Sequence, residues 1–146
     1  MQLTRAADYA VRVMIHLATL PLGARLNRAR LAAACDVPSD FLSKVLQSLV
    51  RARLLAAHRG SSGGFCLAAP AANISVLQVV EAVEGPIQLN FCVPGGPGCA
   101  RQGWCPAHMV WLEAQTALTQ VLKNSMISRL ADLAALPQNS VIYPWN

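Results

Sequence analysis

Three stretches of the chain carry apolar residues at helical spacing, and glycine, proline or polar caps separate them. In the first, Ala7, Ala10, Val11, Met14, Leu17 and Ala18 share one face, while Asp8, Arg12 and His16 share the other. Thr4 is placed to cap this helix, which is expected to run to about Thr19 before Pro21 and Gly23 end it. In the second stretch, Leu42, Val45, Leu46 and Leu49 follow the i, i+3, i+4, i+7 rule and predict a buried stripe. Ser39 is the expected cap of that helix, which reaches about Arg53. Asp40, Phe41, Ser43, Lys44, Gln47, Ser48 and Arg51 are then left facing outward. Between the two lies a short helix from Arg28 to Ala34, with Asn27 as its cap, followed by a turn over Cys35-Asp36-Val37-Pro38.

The pattern then changes. Leu54–His58 and Phe65–Leu67 read as short strands around Arg59-Gly60-Ser61-Ser62-Gly63-Gly64, whose glycines permit positive φ and predict a hairpin. Ser75 caps a fourth helix, Val76 to about Val83, stopped by Gly85-Pro86. Residues 86–104 hold four glycines and three prolines with no periodicity, an irregular loop of the length that carries function or disorder. Pro106 suits the first position of the third periodic stretch, a long helix to about Lys123 or beyond. Trp111, Ala114, Leu118, Val121 and Leu122 line one face of it. A lone helix after a complete domain has nothing of its own to pack on, and a copy of itself in a dimer is the economical solution. The tail, residues 137–146, contains Pro137 and Pro144 and reads as extended. The division expected is therefore 1–85, a domain of helices and a hairpin; 86–104, a cysteine-rich loop; and 105–146, a dimerisation helix with a tail.

Composition supports a folded, mainly helical chain: 54% hydrophobic, 13% charged, 5% aromatic over 146 residues. Charge is unevenly placed. Residues 1–60 carry nine bases and three acids, a net of +6, and residues 61–146 carry three bases and four acids, a net of −1. A basic half points to a polyanion partner, most often nucleic acid, against the plainer alternative of a solvated surface. No uncharged apolar run reaches the roughly 18 residues of a membrane span, and Asp8 and Arg12 interrupt the N-terminus, so neither membrane insertion nor secretion is expected. The default location is cytoplasmic, where five cysteines are metal ligands, reactive thiols or buried residues rather than disulfides.

Two short helices, a turn, a longer helix and a glycine-rich hairpin are the order of a winged helix-turn-helix. The third helix offers small polar groups with Lys44 and Arg51 opposite its apolar stripe, which fits a major groove. Arg59 stands at the base of a tip poor in side chains, suited to a narrow minor groove. Ser39, Phe41, Ser43, Lys44, Gln47, Arg51, Arg59 and Ser61 are the candidate DNA contacts. Phe41 can touch a thymine methyl or pack at the domain edge. His58 reads as a residue of the wing base.

Cys92, Cys99, Cys105 and His108 follow the spacing C-x6-C-x5-C-x2-H. Glycines let such a loop curl so that three thiolates converge, and Cys105 and His108 share a helical face. Thiolates select zinc, Cu(I) or iron–sulfur clusters. The tight C-x2-C pairs of common structural zinc sites are absent, which favours a cluster and leaves zinc, or a disulfide with a spare thiol, as alternatives. His108 is the local candidate for the fourth position and Asp8 the remote one, reaching a cluster in a partner subunit. The plainer role of Asp8 is an i,i+4 pair with Arg12. Cys35 and Cys66 read as small buried hydrophobes. A redox enzyme has only the thiols in its favour: no C-x-x-C and no nucleotide motif is present, and no small-molecule substrate is expected.

Over roughly residues 1–133 the chain resembles the IscR/NsrR/RirA group of bacterial iron–sulfur transcription regulators. The resemblance lies in Leu3-Thr4 with Asp8-Tyr9-Ala10-Val11-Arg12, in Phe41 to Leu49, in Arg59-Gly60 with Gly63-Gly64-Phe65, and in three cysteines before a long helix. It implies a homodimer with crossed long helices, each cluster near the partner's DNA-binding domain, and operator affinity coupled to cluster state. Cys92, Cys99, Cys105 and His108 resemble the three-Cys, one-His pattern of the IscR type, with one extra residue between the first two cysteines. Asp8 resembles the aspartate ligand of the nitric-oxide-sensing NsrR type. The first implies a 2Fe–2S cluster and the second a 4Fe–4S cluster. The expected protein is thus a mainly α winged helix-turn-helix with a small β wing, binding a double-stranded operator as a repressor. A zinc-stabilised DNA-binding regulator without cluster sensing is the alternative.

Overall fold

The computed structural model describes residues 3–137, so all but the first residue of the expected extended tail lies outside the described residues. Helix α1 spans Arg5–Ala18, and the Thr4 hydroxyl accepts from the Ala7 N–H at its start. Helix α2 spans Arg28–Cys35, one residue longer than expected, capped by the Asn27 side chain accepting from Arg30 N–H at 2.9 Å. Asp36, in the left-handed region at φ 52°, turns the chain into α3, Ser39–Arg51. The expected cap is corrected here. Pro38 holds the cap position without a side-chain hydrogen bond, and Ser39 is the first helical residue. Its carbonyl instead accepts from the Ser43 hydroxyl. The helix also stops two residues early, because Arg53 takes φ 59° to turn the chain into the wing.

Strands β1, Leu55–His58, and β2, Gly64–Leu67, pair antiparallel with Leu55 opposite Leu67 and His58 opposite Gly64. Leu26 adds an isolated bridge to Phe65, so the wing is anchored to the chain just before α2. Gly64 is required there: at φ 148°, a Cβ would lie 2.6 Å from the Leu26 carbonyl oxygen. A single 3₁₀ turn, Ala71–Asn73, leads to α4, Val76–Glu84, which starts with a full capping box between Ser75 and Gln78. Helix α5 follows the irregular loop and spans Pro106–Asn124. Helix α6, Ile127–Ala134, was not separable from α5 in the sequence pattern.

One core holds these pieces. Helix α1 packs on α2, α3, α4 and α6. Met14, Leu31, Leu42, Leu46, Leu49, Leu55 and Ile127 are fully buried. All four predicted stripe residues of α3 are buried, and on α1 Tyr9 and Val13 join the core beyond the predicted set. Tyr9 buries its ring despite its hydroxyl, which widens the face that periodicity picked out. The two ends of α4 are tied down: the Thr4 N–H donates to Glu84 Oε1 at 2.7 Å, and the Val76 N–H donates to the Ser125 carbonyl at 2.8 Å.

Candidate DNA-binding face and cysteine loop

Burial of Leu42, Val45, Leu46 and Leu49 fixes the rotation of α3 and leaves Ser39, Phe41, Lys44, Gln47 and Arg51 exposed on its other side. Ser43 is half-buried, and its hydroxyl is engaged twice. It donates to the Ser39 carbonyl at 3.1 Å and accepts from Arg28 Nη1 at 2.9 Å. Phe41 is 49% exposed and meets the Tyr9 ring edge-on, with centroids 6.0 Å apart. It therefore packs at the domain edge while keeping half its surface free.

The wing stands beside this face. A cleft of about 460 Å³ separates α3 from the hairpin, floored by Leu46, Val50, Ala57 and Phe65 and rimmed by Arg28, Gln47 and Arg51. Arg59 and Ser61 are exposed at the tip. At the wing base His58 Nε2 lies 3.5 Å from the Sγ of the buried Cys66, a local polar contact rather than a metal site. Arg28 is the residue of this face that the sequence pattern did not single out. It starts a helix fifteen positions before Ser43, and nothing local ties the two together. The basic excess of the first half is left nearly uncompensated, because among the described residues Arg12–Asp8 is the one ion pair.

That pair is the i,i+4 alternative considered for Asp8. Its carboxylate lies 2.8 Å from Arg12 Nη2, and Arg12 also sits 5.9 Å from the Tyr9 ring centroid. Asp8 borders a groove of about 340 Å³ between α1 and α4, lined by apolar groups including Leu3, Val11, Val76 and Val80. Cys35 is buried, as expected. Burial pushes its thiol up from the ordinary value, opposed by the nearby Arg12 charge.

The cysteine loop is arranged differently. Cys92 and Cys105 are half-buried, Cys99 is exposed, and all three thiols are free. Among the described residues, no three Cys, His, Asp or Glu side chains converge tightly enough to hold one metal ion. Two features nevertheless suit a thiolate-bound group. Cys105 holds the cap position of α5 with no side-chain hydrogen bond, and the His108 N–H donates to its carbonyl at 3.0 Å, so thiol and imidazole share the first turn. His108 is only 9% exposed, and its Nδ1 is the buried side-chain polar atom left without a partner among the described residues. A buried nitrogen in that condition costs about 1–3 kcal/mol, and a ligand bond or a proton relay would remove the cost.

The loop is pinned to α5 at its start. Gln115 Nε2 donates to the Ile87 carbonyl at 2.6 Å, and the Leu89 N–H donates to Gln115 Oε1 at 2.9 Å. Further on, Gln88 donates to the Gly95 carbonyl, and the Gly98 N–H donates to the Phe91 carbonyl at 3.0 Å. On α5 itself, Leu118 and Leu122 pack against the core, whereas Trp111 and Val121 of the predicted face are exposed, as are Met109 and Val110. The predicted stripe is thus only partly covered: Leu118 and Leu122 reach the core, and Trp111 and Val121 do not. No helix among the described residues is long and apolar enough to cross a membrane.

The family described as "Rrf2: Iron-dependent Transcriptional regulator" matches residues 3–134. An HTH-type transcriptional regulator of Mycobacterium tuberculosis is 33% identical over 145 residues, covering 95% of this chain and 86% of its own. The HTH-type transcriptional regulator IscR of Cronobacter sakazakii is 27% identical over 132 residues, covering 90% and 81%. Among solved structures, CymR of B. subtilis, described as a global cysteine regulator, superposes with a TM-score of 0.75 at 20% identity, over 91% of this chain and 98% of CymR. That likeness shows the winged-helix fold and not the signal.

Proposed function

The chain belongs to the Rrf2 family of transcriptional regulators, and we propose that it is a homodimeric, cytoplasmic repressor whose operator affinity follows the state of an iron–sulfur cluster. The observation that carries the DNA half is the free polar face of α3, flanked by Arg28, Arg51 and a glycine-tipped wing bearing Arg59. A helix of this exposure fits the major groove, and an arginine at a slim tip fits the minor groove beside it. Ser39, Phe41, Ser43, Lys44, Gln47, Arg51, Arg59 and Ser61 form the contact set. Met109, Val110, Trp111 and Val121 are exposed apolar residues on α5, surface that a second copy would cover.

Cys92, Cys99, Cys105 and His108 are the residues that would hold the cluster. The family description, the three free thiols and the orphaned Nδ1 of His108 support this set. Such a group, 2Fe–2S or 4Fe–4S, supplies a centre open to oxidation, nitric oxide or loss. Asp8 is the second choice for the fourth ligand, because its carboxylate is already paired with Arg12. The chain itself supplies a path from the loop to the DNA-binding face. Gln115 fastens the loop to α5, and the end of α5 is fastened to α4 through Ser125 and Val76. Helix α4 in turn packs on α1 and α3. A displacement of the loop therefore has a continuous packed route to the recognition helix.

The test is an anaerobic visible spectrum of freshly purified protein, with iron, acid-labile sulfide and zinc counted on the same sample, followed by a gel shift on operator DNA. Brown protein with iron and sulfide is the expected result. Colourless protein containing zinc, still colourless after anaerobic reconstitution, would leave a zinc-stabilised DNA-binding regulator and remove the sensing half.

A further inference from the structure

We infer that Arg28, at the first turn of α2, reads the edge of a guanine in the operator and that Ser43 on α3 holds it in position to do so. The inference rests on the proposed function and deepens it. The carrying observation is a contact between two helices. Arg28 Nη1 donates to Ser43 Oγ at 2.9 Å, and Ser43 Oγ in turn donates to the Ser39 carbonyl at 3.1 Å. The serine hydroxyl is therefore oriented by the helix backbone, with a lone pair left to receive the arginine. A guanidinium is planar and offers five N–H donors in a fixed fork. One donor used on Ser43 anchors the guanidinium beside α3 and leaves the other donors free.

Position and charge agree with a role toward DNA. The half-buried Ser43 and the exposed Gln47 and Arg51 succeed one another along the side of α3 that lines the cleft toward the wing, and Arg28 lines the same cleft. The residue is exposed, and among the described residues no carboxylate pairs with it. A cation left unpaired, oriented, and placed over the groove-entering helix is arranged for a hydrogen-bond acceptor pair. Guanine O6 and N7 in the major groove are that pair, and arginine is their commonest partner. A backbone phosphate is the competing acceptor. The Ser43 contact favours the base, because it holds the guanidinium against α3 rather than outward from α2.

The experiment selects binding sites from a pool of duplexes with a randomised centre, using the full chain purified anaerobically. Wild-type protein is compared with Arg28→Ala, Arg28→Lys and Ser43→Ala, and affinities for the selected site are then measured at several salt concentrations. Enrichment of a defined site by the wild type establishes operator binding, and its absence would overturn the proposed function rather than this inference. For Arg28→Ala, loss of one guanine preference per half-site is expected, with binding to the wild-type site weakened about tenfold to hundredfold. Arg28→Lys keeps the charge and the salt slope but loses the same preference. Ser43→Ala blurs that preference while Arg28 remains. An unchanged selected sequence in Arg28→Ala, with affinity lost evenly on all sites and a shallower salt slope, would make Arg28 a phosphate contact and overturn the inference. Unchanged affinity and sequence would overturn it as well. Far-UV circular dichroism of each variant separates these outcomes from misfolding.

Discussion

Helices α1 to α3 and the wing bury their apolar stripes within a single chain, whereas α5 does so only through Leu118 and Leu122. On α3 all four stripe residues, Leu42, Val45, Leu46 and Leu49, are buried, and the polar face opposite them is continuous. On the nineteen-residue α5 the single buried residue is a histidine, and Val121 is 63% exposed although it has the same spacing logic as its counterparts on α3. Polar groups follow the same division in part, α3 starting at Pro38 without a side-chain cap. The caps of α1, α2 and α4 are satisfied by Thr4, Asn27 and Ser75, while Cys105 caps nothing and His108 Nδ1 stays unpartnered. The contrast teaches that hydrophobic periodicity reports which residues need covering, not what covers them. In the first region other parts of the same chain answer that need. In the second, apolar surface and an unpartnered imidazole nitrogen are left together around the same helix, which is where the proposed second copy and bound group would both be accommodated.

Five measurements bear on this contrast. Leu46→Ala removes a fully buried side chain from the first region and is expected to cost about 2–5 kcal/mol, read by urea unfolding. A cost below about 1 kcal/mol would mean that the core on α3 is looser than its burial indicates. Cys99→Ala lies in the second region on an exposed loop. It should leave the helical circular dichroism unchanged while abolishing bound iron and visible absorbance; full colour with full iron would remove Cys99 from the ligand set. Arg59→Ala is expected to weaken operator binding by about 1–3 kcal/mol in a gel shift at fixed salt, and unchanged affinity would refute the role of the wing. If a copy covers the exposed face of α5, the thermal midpoint rises with protein concentration, and Val121→Glu removes that dependence. A midpoint independent of concentration across the micromolar range would argue against a dimer in that range. Asp8→Ala breaks an exposed pair and should cost no more than about 0.5 kcal/mol, with the cluster retained. Loss of colour in Asp8→Ala but not in His108→Ala would exchange the two as fourth ligand.

Much of the candidate DNA-binding face was legible as local structure before the fold was known. The stripe on α3, the caps at Thr4, Asn27 and Ser75, and the glycine hairpin depend on neighbours a few residues apart, and local chemistry places them within a residue or two. The errors at this level have local causes too. Ser39 lost the cap position to Pro38, and Arg53 left the helix to turn toward β1. The cysteine loop was legible only as composition and spacing. Its convergence depends on backbone closure over fourteen residues of glycine-rich chain, which spacing alone does not specify.

What the residue pattern established unaided is the inventory: a basic first half, an amphipathic helix with a polar face, a hairpin tip free of bulky side chains, and three thiols with an imidazole before a long helix. Each of these follows from periods of two to four residues or from the chemistry of single side chains. Other features required the folded chain. They are the docking of Arg28 onto Ser43 across fifteen residues, the return of α6 onto α1, the clamp of Gln115 on the loop at Ile87 and Leu89, and the isolation of His108 Nδ1. These contacts join residues far apart in the chain, and their partners are selected by packing geometry, which no local pattern encodes.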